Sequence, residues 1–124
     1  MDKRPIILVV DDEAPIRHVL LDLLADEGYQ AMEAPNGRIA LEMAREHHPD
    51  LILMDVMMPE LNGRQTLTAL HAEPALATIP VVLMSAAGRA MAPADGVVTF
   101  LSKPFDLQQV LDVVKTVLLN RSTP

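Results

Sequence analysis

Two adjacent acids close an apolar run in Ile6-Ile7-Leu8-Val9-Val10-Asp11-Asp12-Glu13, and a third acid closes Leu51-Ile52-Leu53-Met54-Asp55. A lysine follows another such run, in Phe100-Leu101-Ser102-Lys103-Pro104-Phe105. If the three runs are neighbouring parallel strands, three carboxylates and one ammonium converge at the C-terminal edge of one sheet, where such sheets bind ligands. Like charges held that close repel, so the cluster is costly unless a hard divalent cation neutralises it. Mg²⁺ suits the donors: it takes oxygen ligands, usually one or two protein carboxylates, and keeps water or phosphate in its other positions. Asp12 and Asp55 can supply the carboxylates, and Asp11 can hold a metal-bound water. The backbone carbonyl of Met57 can complete the protein's share. Ser85 offers a hydroxyl at the end of another apolar run, and Lys103 offers a compact positive charge. Together they would surround a phosphoryl group on an Asp55 oxygen, making Asp55 the candidate nucleophile of a phosphoryl transfer.

The elements that must position these groups alternate strand and helix. Short continuous apolar runs suit strands buried on both faces of a parallel sheet. Strands are predicted near 6–10, 30–34, 51–55, 81–85 and 97–102. The second is more polar and is predicted to be a shorter, edge strand. Helices are predicted near 14–27, from Asn36-Gly37 to His47-His48, near 64–72 and near 107–119. Asp12 or Glu13 can cap the first helix, Pro15 suits its first turn, and Gly28 suits its end. A further helix is needed after Ser85, but Gly88, Pro93 and Gly96 leave room for at most one or two turns, so the fourth helix should be short or irregular. Residues 120–124 have nothing to pack against and are expected to fray. Right-handed crossovers place helices on both faces of the resulting α/β sheet.

At 124 residues the chain is read as one domain, residues 1–124. A net charge of −7 argues against direct nucleic-acid binding, and three aromatics (Tyr29, Phe100, Phe105) make no base-stacking platform. No apolar run approaches the ~18 residues of a membrane span. The start, Met1-Asp2-Lys3-Arg4-Pro5, lacks the apolar stretch of a secretory signal. With no cysteine there is no disulfide framework. Both features fit a cytoplasmic protein. The four histidines (His18, His47, His48, His71) form no metal-ligand pattern and read as surface residues.

Taken singly, each candidate has a plain reading. Asp11-Asp12-Glu13 can be a helix cap, Asp55 a loop cap, Ser85 a strand end, Lys103 a solvated or salt-bridged lysine, and Phe100 a core aromatic. The set argues otherwise, because every reactive candidate ends a strand. The motifs Val10-Asp11-Asp12-Glu13, Asp55-Val56-Met57-Met58-Pro59 with Gly63, Met84-Ser85-Ala86 and Lys103-Pro104-Phe105 resemble the receiver domain of two-component response regulators. The resemblance covers essentially the whole chain. It implies a flavodoxin-like, doubly wound, five-stranded parallel sheet of order 2-1-3-4-5. It implies that Asp55 takes a phosphoryl group from a histidine kinase or histidine phosphotransfer protein, with Mg²⁺ bound by Asp11, Asp12 and Asp55. Ser85 and Lys103 would sense the acyl phosphate, Phe100 would be the switch aromatic, and the bond before Pro104 would be cis, aiming the lysine inward. The output would be an altered contact with a downstream protein or output domain.

Three departures matter. The interval from Ser85 to Lys103 is about one helical turn shorter than the family's usual one, which predicts a non-standard partner surface there. Phe100 has no hydroxyl, so any switching must come from packing. The residues two after Asp55 and two after Ser85 are Met57 and Ala87, neither able to orient a water, which predicts slow self-dephosphorylation. Rival readings fall short. A haloacid-dehalogenase-type phosphatase needs a second acid where Met57 stands. A flavodoxin-like FMN protein needs a phosphate loop where Asp11-Asp12-Glu13 would repel one. A phosphorylation-independent receiver-fold interaction module remains as the alternative.

Overall fold

The apolar runs form strands because their side chains are taken up alternately by two cores. The structure, a computed structural model, describes residues 4–58, 61–85 and 98–122. Its strands are β1 (Ile6–Val10), β2 (Gln30–Ala34), β3 (Leu51–Asp55), β4 (Val81–Ser85) and β5 (Val98–Ser102). Its helices are α1 (Ala14–Asp26), α2 (Gly37–His47), α3 (Gly63–Ala72) and α4 (Leu107–Ser122), the last being the helix that follows β5. The sheet is wholly parallel in the order β2-β1-β3-β4-β5. Successive side chains point to opposite faces. Leu8, Val10, Ile52, Met54, Val81 and Leu83 pack on one face with Ala40, Leu41 and Ala44 of α2 and Leu67 and Leu70 of α3. Ile7, Val9, Leu51, Leu53, Val82 and Met84 pack on the other with Leu20 and Leu24 of α1 and Val110, Leu111 and Val114 of α4. Each fully buried leucine contributes about 1.5–3 kcal/mol.

Local signals fix the helix ends. Glu13 occupies the N-cap of α1 without a side-chain cap bond, and Pro15 lies in the first turn. Gly28 follows α1 at φ +91°, a left-handed conformation that favours glycine. Asn36 caps α2, its side chain accepting from the Ile39 N–H. A capping box between Asn62 and Gln65 starts α3, and Asp106 and Gln109 exchange the equivalent pair of bonds before α4.

Three expectations change. Strand β2 is at the edge as expected, but it is five residues long like its neighbours, not shorter. Residues 120–122 continue α4 instead of fraying. Val117 and Leu118 still pack on the core, and each further helical residue adds a backbone bond to an existing nucleus. His47 and His71 are half-buried, and only His18 and His48 are exposed as read. The short or irregular fourth helix, and the expectations for Ala86, Ala87, Thr123 and Pro124, lie outside the described residues.

Candidate functional site

The strand register decides which side chains can meet. Val10 pairs with Met54, Asp55 with Met84, and Ser85 with Ser102. The strand ends are therefore offset by one residue from β1 to β3 and from β3 to β4, and level between β4 and β5, so the residues leaving them share one edge. Backbone bonds then tie the emerging loops together. Asp11 N donates to Ala34 O at 3.2 Å, Val56 N to Met84 O at 3.0 Å, and Lys103 N to Ser85 O at 2.9 Å. Gly63 N donates to Val56 O at 2.9 Å and seats the start of α3 against the end of β3. A Cβ at Gly63 would lie 2.7 Å from Asp55 O and 2.8 Å from Val56 Cα, so the close approach requires glycine. The Lys103–Pro104 peptide is cis.

The edge collects carboxylates. Asp11, Asp12 and Asp55 each offer an oxygen, all within 4.8 Å of one another. Asp11 is 0% and Asp55 5% exposed, whereas Asp12 is open to solvent. Asp11 Oδ1 accepts the Glu13 N–H at 2.8 Å. Its Oδ2 is buried with no hydrogen-bond partner among the described residues, an arrangement that costs free energy unless something compensates. Burial pushes the Asp11 carboxyl above its ordinary range, and the neighbouring Asp55 charge pushes it the same way. The Glu13 N–H and the Lys103 ammonium oppose that shift. Lys103 Nζ lies 3.3 Å from Asp55 Oδ1, and Met57 N–H donates to the same oxygen at 3.3 Å. Among the described residues, one ammonium thus stands beside a cluster of three carboxylates. A clustered oxygen donor set with a buried, unsatisfied lone pair fits a hard divalent cation.

The other sequence candidates fall around this cluster. Ser85 is buried at the end of β4. Phe100 is half-buried against the core under α2 and α3. The Met57 side chain is 75% exposed beside Asp55. Sequence reasoning missed two features. Arg17 of α1 donates from Nη1 to Asp11 O at 2.8 Å and from Nε to Glu33 Oε1 at 2.6 Å. Its signal, a base six residues after Asp11, looks like any solvated helix charge. The second is an apolar groove of about 600 Å³ lined by Pro15, Ile16, Val19, Phe105 and Leu107, with Lys103 in its wall. It joins segments far apart in sequence, so no local pattern announces it.

Comparison with known proteins identifies the family and the fold. The family model for the response regulator receiver domain matches residues 7–115. The polar-differentiation response regulator DivK of Brucella ovis is 31% identical over 116 residues, covering 90% of this chain and 94% of DivK. Histidine kinase P4 of Formosa agariphila is 34% identical over 119 residues, covering 93% of this chain, which spans 9% of that kinase's length. The solved receiver domain of the hybrid histidine kinase CckA is 36% identical with a TM-score of 0.78, covering 91% of this chain and 98% of that one. The chemotaxis protein CheY4 of Vibrio cholerae is 26% identical with a TM-score of 0.81, covering 92% and 98%.

Proposed function

This chain belongs to the response regulator receiver family of two-component signalling, and from that premise we propose that Asp55 is its phosphoacceptor. The donor is a histidine kinase or histidine phosphotransfer protein, and the acyl phosphate switches contacts with a downstream protein or output domain. The observation that carries the reading is the acid cluster, two of whose three carboxylates are buried, with Lys103 Nζ at 3.3 Å from Asp55. A cluster with no chemistry to perform would be a standing cost to the fold.

Receiver domains bind Mg²⁺ at an acidic pocket and signal, in general, without being true enzymes. Here Asp11, Asp12, Asp55 and the Met57 carbonyl would hold the ion, and when bound it would neutralise charge on the phosphoryl oxygens. An Asp55 carboxylate oxygen attacks phosphorus, and the bond from phosphorus to the donor breaks with its electron pair leaving on the donor. Lys103 balances the charge delivered to the site, and Ser85 offers a hydroxyl to a phosphoryl oxygen. Ser85 and Phe100 then carry the switch, Phe100 by packing alone. The protein's own chemistry is limited to this self-phosphorylation and a slow self-dephosphorylation.

The donor's phosphohistidine must reach Asp55, so its carrier has to touch the rim that Lys103 shares with the apolar groove. Val19, half exposed on that rim, offers apolar contact. Among the described residues no helix is long and apolar enough to cross a membrane. The acidic charge leaves nucleic acid as no partner of this domain. The proposal extends to one receiver domain over residues 1–124 working in the cytoplasm.

Phosphorylation by acetyl phosphate, read by intact mass with and without Mg²⁺, tests the reading. Wild type should gain one phosphoryl group only with Mg²⁺, and Asp55→Asn should gain none. If acetyl phosphate and a histidine-kinase donor both fail and Mg²⁺ does not bind, the phosphorylation-independent interaction module replaces it.

A further inference from the structure

We propose that Arg17 is a positioning residue for the divalent-cation site: by holding the peptide that joins Asp11 to Asp12, it sets where both carboxylates stand. This rests on reading the acid cluster as that site. The Arg17 side chain is 12% exposed and is held in the first turns of α1, where its backbone N–H donates to Glu13 O at 3.0 Å. Its Nη1 donates at 2.8 Å to the carbonyl oxygen of Asp11. That carbonyl belongs to a planar unit whose two ends are the Cα atoms of Asp11 and Asp12. Fixing its oxygen therefore fixes the tilt of the plane from which both side chains leave. The other hydrogen bonds at this turn, Asp11 N to Ala34 O and Glu13 N to Asp11 Oδ1, fall on the neighbouring peptides.

The guanidinium is itself anchored. Nε meets Glu33 Oε1 at 2.6 Å, and Glu33 sits on edge strand β2 opposite Val9. Arginine suits the task because its planar fork presents separate donors in fixed directions. One donor takes the acid turn and another takes the sheet edge, so the turn is braced against the sheet. A lysine ammonium cannot span both acceptors in the same way.

Charge and positioning make opposite predictions. A positive group beside the cluster repels an incoming cation, so if charge alone mattered, removing it would tighten Mg²⁺ binding. If positioning dominates, removal weakens binding, because side chains that orient ligating groups govern affinity.

The test is Mg²⁺ affinity from amide-shift titration by nuclear magnetic resonance, with melting temperature measured separately without Mg²⁺. Arg17→Met should weaken Mg²⁺ by about tenfold. Arg17→Lys should weaken it nearly as much despite keeping the charge. Glu33→Gln, which keeps an oxygen acceptor for Nε, should stay close to wild type. A lower melting temperature with unchanged affinity would reduce Arg17 to a structural residue and overturn the proposal. Tighter binding by Arg17→Met would overturn it in favour of simple charge repulsion. If Arg17→Met fails to fold, Arg17→Lys carries the same decision. Wild type failing to bind Mg²⁺ would overturn the cation-site reading and this proposal with it. Wild-type binding with unaltered variants would overturn the positioning role alone.

Discussion

Replacing Asp11 by asparagine should stabilise the metal-free protein while abolishing its response to Mg²⁺. The substitution keeps an oxygen to accept the Glu13 N–H and removes a buried charge. Two unit charges 4.8 Å apart, the outer bound on the cluster, repel by about 3.5 kcal/mol at an effective dielectric near 20. Lys103, beside Asp55, offsets much of this. A residual gain of roughly 1–2 kcal/mol is expected, which for a chain of this size raises the melting temperature by about 4–8 °C. Adding Mg²⁺ at ten times its dissociation constant should stabilise wild type by about 1.4 kcal/mol and leave Asp11→Asn unmoved. The pH dependence has a definite sign. The folded-state pKa of Asp11 is raised above its ordinary 3.8, so the folded state holds that proton more tightly than the unfolded chain does. Metal-free stability from this group is therefore lost as pH rises from near 3.8 through the raised value. The gap between variant and wild type should open over the same window and close in acid, where wild-type Asp11 is already neutral. The assay is thermal unfolding by circular dichroism from pH 3 to 8, with chelator or Mg²⁺. A metal-free melting temperature below wild type at neutral pH would refute the reasoning. It would mean that the charged acceptor's bond to the Glu13 N–H outweighs the repulsion.

Gly63→Ala should destabilise by about 1–3 kcal/mol in the same melts, because the new Cβ meets backbone atoms of Asp55 and Val56 that cannot step aside. A neutral result would show that α3 can lift off β3. Polar replacement of both Met57 and Ala87 should speed loss of the acyl phosphate by about tenfold or more, by giving the attacking water a partner; an unchanged half-life, followed by intact mass, would remove these residues from that step. Val19→Asp should slow transfer from a histidine-kinase donor yet leave labelling by acetyl phosphate unchanged. Equal loss with both donors would place its effect in the fold rather than at the groove.

Much of the fold was legible because burial on both faces leaves a local mark. The runs 6–10, 51–55 and 81–85 have no polar interruption before their last residue, and they are strands with those bounds. The start of α2 was legible in the Asn36-Gly37 turn, whereas the side-chain cap expected of Asp12 or Glu13 does not form, because Glu13 stands at the N-cap of α1 without such a bond. The length of α4 was not, because chain past the last packed leucine carries no pattern that separates helix from frayed coil. At the candidate site, the residue types and their places at strand ends were legible in the sequence. Sequence by itself determined which groups could do chemistry and which edge they would occupy, since chain direction and strand ends follow from local hydrophobicity. Register and packing decided the rest. They set Lys103 at 3.3 Å from Asp55, left Asp11 Oδ2 buried without a hydrogen-bond partner among the described residues, and turned Arg17 inward to span the Asp11 carbonyl and Glu33. The Lys103–Asp55 and Arg17–Glu33 pairs join segments remote in the chain, and their distances depend on how whole elements stack, which no local run of residues encodes.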